Sequence, residues 1–365
     1  MRPDRADILA ALRDPGQLTT WNGPRLDLAL RQLRRLKLLA HVGERLRERE
    51  LMHSFPQRVT DQLLSAVNMA AARGRLARWE LAQLAQVLEP GPDNPVVVLK
   101  GSAYLLAGLP HAAGRLLADV DLLVPEARLQ TTEERLLDAG WEGAPLNIHD
   151  DRYYREWTHE IPPLRHAERE MEVDVHYGIL QRMARLKPPA ALLIEAARPA
   201  GFGGFSLLAP EDMTLHATTH LFCSSEQDDA LRELVDIDAL VRHFATRDPA
   251  FWSRLATRAR QLGLMRPAGY ALRYCAAWFQ TPVPVDVFDA LRDGAPPPPV
   301  RWLMDRLLPG ALFARHPDRP DRASTLSRAL LLVRAHWIRM PPLLLARHLA
   351  NKSLRRMRRQ RTAEA

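Results

Sequence analysis

Two aspartates one residue apart, Asp119 and Asp121, are the pair best placed to do chemistry. They flank Val120 at the head of an apolar run that ends at Val124, a pattern that predicts a β-strand. Side chains alternate along a strand, so both carboxylates project from one face. Neighbouring anions repel, and a hard divalent cation relieves that repulsion. Mg²⁺ takes oxygen ligands, carboxylates and substrate phosphates among them. Two such ions can clamp the attacking and leaving oxygens of a phosphoryl transfer. A third carboxylate is needed for the ion that activates the attacking hydroxyl. Asp174, in the stretch from Glu172 to His176, is the choice; Glu172 shares its face and is the alternative. His176 shares that face too and either orients a ligand or fills the edge of the cleft.

Upstream, Lys100-Gly101-Ser102 stand between a short β-branched run, Val96 to Leu99, and a helix expected from Ala103 to Ala107. A helix N-terminus offers free N–H groups and a positive dipole end to a phosphate, and glycine lets the backbone come close. The Ser102 hydroxyl adds a donor. Lys100 adds a charge or stands in solvent. Arg115, four residues before Asp119, pairs with a carboxylate or reaches a phosphate. Taken alone, an Asp-x-Asp pair commonly ends a surface strand; the case rests on its joining with Lys-Gly-Ser and Asp174. His216 and His220 are four apart on a predicted helix, but a zinc-protease motif needs glutamate after the first histidine, and Ala217 is there. They are expected to be structural or to line the cleft. His159 and His166, near Pro162-Pro163, fall in a predicted loop and have no assigned role.

The elements that must position these residues divide the chain. Residues 1–92 read as helices, with a leucine stripe from Leu26 to Leu39 and a long amphipathic stretch from Gln62 to Leu88. The breaker cluster from Pro90 to Pro95 closes that region. Residues 93–205 alternate strand and helix patterns, an α/β core: Val96 to Leu99, Val120 to Val124, Tyr153 to Trp157 and Met171 to Val175 as strands, and Arg128 to Asp138 as a helix stopped by Gly140. Residues 206–295 are helical again, opened by Pro210-Glu211-Asp212. Pro296 to Pro299 is expected to be an extended linker. Residues 300–350 form a last helical region broken at Pro341-Pro342, and 351–365 a basic tail. The fold class that follows is α+β: a small mixed sheet embedded between N-terminal and C-terminal helical regions.

Composition narrows the classes. The chain has 365 residues, 47% of them hydrophobic and 26% charged, ordinary for a globular protein and against wholesale disorder. Its net charge of +8 is uneven. Six basic residues lie between Lys352 and Arg361, and Glu364 is the only acid from Lys352 onward, so the tail carries about +5 and the body about +3. That makes a weak case for nucleic acid and leaves an anionic membrane surface as a partner for the tail, beside a solvated helix end as the plainer reading. Cys223 and Cys275 are far apart and form no zinc spacing, which fits a reduced, intracellular compartment. No signal-peptide core and no run of eighteen apolar residues is present. The expected location is cytoplasmic or peripheral at the membrane.

The chain resembles the polymerase-β-like nucleotidyltransferase superfamily, in its strand, Gly-Ser, helix, Asp-x-Asp and later third carboxylate. Within it, the sequence is similar to the bacterial family of uncharacterised nucleotidyltransferases. The matching stretches are Leu99 to Gly101, Arg115 with Asp119 to Val124, Val173 to His176, Pro210 to Asp212 and Leu231 to Asp236, covering roughly residues 15 to 250. The sixteen residues between Ser102 and Asp119 exceed the superfamily's usual gap. The resemblance implies transfer of a nucleoside monophosphate from a nucleoside triphosphate such as ATP to an unknown acceptor hydroxyl, with release of pyrophosphate. Asp119, Asp121 and Asp174 would bind Mg²⁺ or Mn²⁺ and serve catalysis. Lys100, Gly101, Ser102 and Arg115 would bind the nucleotide. The alternative is a non-catalytic nucleotide-binding protein, or a membrane-associated accessory protein of a biosynthetic pathway.

Overall fold

The computed structural model describes residues 3–143, 158–224, 229–313, 315–319 and 321–339. The strand expected from Tyr153 to Trp157 and the tail 351–365 lie outside them. The chain opens with helices α1 (Pro3–Arg13), α2 (Gly23–Arg35), α3 (Leu39–Glu48) and α4 (Gln57–Leu88). Asn22 caps α2 through its side-chain oxygen, and Pro24 sits in its first turn. The leucine stripe is divided between α2 and α3, because Lys37 takes a left-handed backbone, φ 56°, and turns the chain. α4 is the longest helix described and packs against α3, the sheet and the helix that follows β1.

The sheet comes next: β1 (Val97–Val98), α5 (Lys100–Leu106), β2 (Asp119–Leu123), α6 (Leu129–Asp138), β3 (Trp141–Gly143), β4 (Leu164–His166), β5 (Glu172–His176), α7 (Ala190–Glu195), β6 (Arg198–Pro199) and β7 (Ser206–Leu207). Seven strands lie in the order β3-β4-β5-β2-β1-β7-β6. The β2–β5 and β1–β7 pairs are parallel and the others antiparallel, so the sheet is mixed. This matches the α+β architecture expected, with the sheet held between helical regions. Val120, Leu122, Val173 and Val175 are fully buried on the face opposite the acids. That one-sided burial fixes the strand register, since a slip by one residue would turn every acid into the core.

The second helical region holds α8 (Pro210–Cys223), α9 (Ala230–Arg247), α10 (Phe251–Gln261), α11 (Met265–Phe279) and α12 (Val285–Ala290). α8 is its axis, packed on α9, α10 and α11 and buried on nearly all sides. The chain then forms α13 (Pro298–Leu312) and α14 (Arg322–Arg339). The expected extended linker is therefore half helix: Pro298 and Pro299 are the first residues of α13, where a missing N–H costs nothing.

Candidate active site

Four short elements, β1, α5, β2 and β5, converge on one polar face. β1 ends at Val98, and the Leu99 N–H donates to the Asp121 carbonyl at 2.9 Å, fixing α5 against β2. α5 begins at Lys100, three residues earlier than its apolar pattern indicated. Gly101 and Ser102 are therefore the first turn of a helix rather than a free loop. Lys100 pays for this start with a left-handed backbone, φ 47°. Its ammonium is aimed across the face and donates to Asp121 Oδ1 at 2.6 Å.

The parallel pairing of β2 with β5 sets Asp119 opposite Glu172, Asp121 opposite Asp174 and Leu123 opposite His176. Asp121 is buried, and Asp119 and Asp174 are half-buried beside it. Glu172 sits at the outer end of β5, exposed, and accepts from Arg165 at 3.0 Å. The structure thus separates the two candidates that alternation left equal, placing Asp174 inside the cluster and Glu172 at its rim. Asp121, Asp174 and His176 each offer a ligand atom within 4.8 Å of the others.

His176 carries more than sequence showed. Its Nε2 lies 3.1 Å from Asp121 Oδ1 and its Nδ1 lies 3.0 Å from Glu160 Oε2. Burial opposes the charge on this ring, but the bonds to Asp121 and Glu160 outweigh burial and lift its pKa to about 9. In the metal-free protein His176 is then a cation, with Nε2 bonded to Asp121 and Nδ1 beside the Glu160 carboxylate. Glu160 is also resisted by burial, yet His176 holds it down to about 2. Sequence reasoning missed Glu160, whose only signal was nearness to His159; an isolated bridge pairs it with His176. His159 stacks on His176 at 5.2 Å between ring centres, and burial drives its own pKa down to about 3.

The carboxylates do not share one state. Asp121 is buried, but Lys100 and His176 hold it well below the usual range. Asp119 is raised by the charge of Asp121 and then by burial. Asp174 is raised to about 7 by burial, with Asp121 adding to it. Lys100 loses from burial but gains more from Asp121, Asp119 and Asp174, so its pKa rises. Two of the three carboxylates therefore stay raised despite the cations nearby. Oxygen donors, partial burial and unrelieved repulsion together fit a hard divalent cation.

The remaining expected residues are placed as follows. Ser102 is buried and donates to the Asp119 carbonyl at 3.3 Å. A Cβ added to Gly101 would lie 2.4 Å from Leu117 Cδ2 and 2.6 Å from Arg115 Nε, so the close approach this glycine allows is to those side chains. Arg115 is buried in an ion pair with Asp236 of α9 and lies over the Tyr104 ring, 5.4 Å from its centre. Asp119 is only a more distant partner of it. Arg73 of α4 donates to the Leu117 and Ala118 carbonyls at 2.7 and 3.3 Å and holds the approach to Asp119. His216 is buried and His220 pairs with Glu233 at 3.0 Å; neither belongs to a metal-binding group among the described residues.

The profile of a family described as "Uncharacterised nucleotidyltransferase" matches residues 23–280, from α2 to the end of α11. No curated protein matches the chain. No solved structure matches it.

Proposed function

Since the chain belongs to that nucleotidyltransferase family, we propose that it moves a nucleoside monophosphate from a nucleoside triphosphate, ATP being the first to try, to an acceptor hydroxyl. The observation that carries this reading is the β2–β5 register, which brings Asp174 opposite Asp121, with Asp119 two residues away on the same face. Asp119, Asp121 and Asp174 would hold Mg²⁺ or Mn²⁺, which when bound neutralises charge on the phosphates and lowers the pKa of a ligated hydroxyl. The first turn of α5, Lys100 to Ser102, receives the β and γ phosphates on its free N–H groups. Lys100 then exchanges Asp121 for phosphate oxygen. Asp174, opposite Asp121 inside the cluster, is placed to take the acceptor's proton. The acceptor oxygen bonds to the α phosphorus, the α–β bridging oxygen leaves with pyrophosphate, and the hydroxyl proton passes to Asp174. Glu160 and His176 hold Asp121 in place, and Arg115 braces α5 against α9. Residues 206–295 shape the acceptor side.

The test is a set of α-labelled triphosphates incubated with cell extract and the full chain. Label is expected to enter an extract component in the presence of Mg²⁺ with the natural protein and not with Asp174→Ala, which should still bind triphosphate. Label transferred equally well by Asp174→Ala would remove it from the mechanism, and no label with any triphosphate would favour a non-catalytic nucleotide-binding role.

A further inference from the structure

The exposed apolar residues of the chain are concentrated in one place. Of thirteen large hydrophobic side chains that stand exposed among the described residues, eight lie on α13 and α14. On α14 the buried residues are Ser324, Ser327, Leu331 and Ala335, spaced three and four apart; Ser327 meets Gly310 of α13, where an added Cβ would lie 2.3 Å from its Oγ. The opposite side of the same helix carries Leu326, Leu330, Val333 and Trp337, also spaced three and four apart, with Val333 64% exposed. Trp302 and Leu303 of α13 are exposed as well. α14 is thus apolar on two faces, and only one is covered. The hairpin is firmly seated: Arg334 donates to the Phe222 carbonyl at 2.8 Å, and Arg185 donates to the Trp337 carbonyl at 3.1 Å.

Charge has the same distribution. From Pro298 to Ala365 there are fifteen basic and four acidic residues, a net +11, so the preceding 297 residues are net −3. The family profile ends at residue 280, before this segment begins. No described helix is long and apolar enough to cross a membrane.

We propose that the outer face of α13–α14 lies on an anionic lipid bilayer, with Trp302, Leu330, Val333 and Trp337 entering the headgroup boundary and the net positive charge of residues 298–365 drawing the segment to the lipid phosphates. A helix lying in the interface needs an apolar face flanked by cations, with tryptophan at the boundary, and stable attachment takes two signals, here an apolar stripe and a polybasic segment. A second copy of the chain is the poorer occupant, because a twofold contact would set two +11 segments against each other. RNA would satisfy the arginines and leave the stripe bare.

The test is co-sedimentation of the full chain with vesicles of equal parts phosphatidylglycerol and phosphatidylcholine, against phosphatidylcholine alone. The natural chain should pellet only with the anionic vesicles and be released by high salt. The double variant Leu330→Glu/Val333→Glu should bind them roughly tenfold more weakly, at unchanged melting temperature and triphosphate affinity. Any one of five results overturns the proposal. The natural chain stays in the supernatant; the double variant binds as well as the natural chain; the natural chain is a dimer that the double variant renders monomeric, or loses RNA rather than vesicles through that variant; or truncation after Arg339 newly exposes the stripe to an apolar dye, which would make the chain's own end its cover.

Discussion

Asp119 and Asp121 stand two residues apart on one strand and have opposite surroundings. Asp121 is held by Lys100 and His176, whereas Asp119 meets mainly the charge of Asp121. Removing the first strands two cations; removing the second relieves a repulsion. Asp121→Ala should therefore destabilise the metal-free protein by about 3 kcal/mol, the cost of breaking a buried pair. Asp119→Asn should raise its melting temperature by roughly a degree or two. Both should weaken triphosphate binding in Mg²⁺. Calorimetry with and without the ion checks all of this, and equal melting shifts for the two variants would contradict the asymmetry. At Gly101 the conflict is steric. Gly101→Ala should cost about 1–3 kcal/mol through overpacking against Leu117 and Arg115. Leu117→Ala should restore part of that in the double variant. If the loss appears only in triphosphate affinity, with stability untouched, the glycine serves the phosphate and not the packing.

At the scale of elements, ion pairs clamp helices to one another. Asp212, at the start of α8, accepts from Arg258 of α10 through Nε at 2.6 Å and a second nitrogen at 2.8 Å. Glu211 accepts from Arg254 one turn earlier at 2.7 Å. The Asp212–Arg258 pair is two-pronged and buried at its acidic end, so Asp212→Ala should cost about 3 kcal/mol by taking the carboxylate from Arg258, which keeps its bonds to Leu192 and Gln261. Triphosphate affinity should be unchanged at a temperature where the variant is folded. A denaturant melt together with a binding titration separates the two readings; a stable variant that has lost binding would move Asp212 into the site. Arg115 and Asp236 are a second clamp of this kind, joining the loop before β2 to α9.

The molecule as a whole has an acid-sensitive interior. His111 is buried against the Tyr104 ring, 5.0 Å between centres, and burial lowers its pKa to about 3. His159 is lowered to about 3 by the same cause. An unfolded histidine titrates near 6.5. Above that pH both states are neutral and neither residue affects stability. Between about 6.5 and 3 the unfolded chain takes up protons that the folded chain refuses, so stability falls as the solution is acidified. His111→Leu should flatten that acid limb. Melting temperatures measured from pH 7 to pH 4 give the comparison, and an identical slope in the variant would show that His111 is free to titrate when folded.

The sequence by itself determined the periodic elements and the placing of the central pair on one face of a strand. Asp119, Asp121 and Asp174 were legible because two-residue alternation against buried valines admits one face only. The expectation of a mixed sheet between helical regions followed from where the pattern period changes. Tertiary structure decided what local pattern cannot encode. That Asp174 lies inside the cluster and Glu172 at its rim depends on a register set by pairing residues about fifty positions apart. Lys100 turned inward because its strained backbone aims the ammonium at Asp121. Glu160 joined through a single bridge to His176. Arg115 found Asp236, more than a hundred residues away, because burial of a guanidinium needs a carboxylate and folding brought that one. Alternation and helical spacing are properties of a few consecutive residues, whereas partner choice among charges is settled only when distant elements exclude water between them.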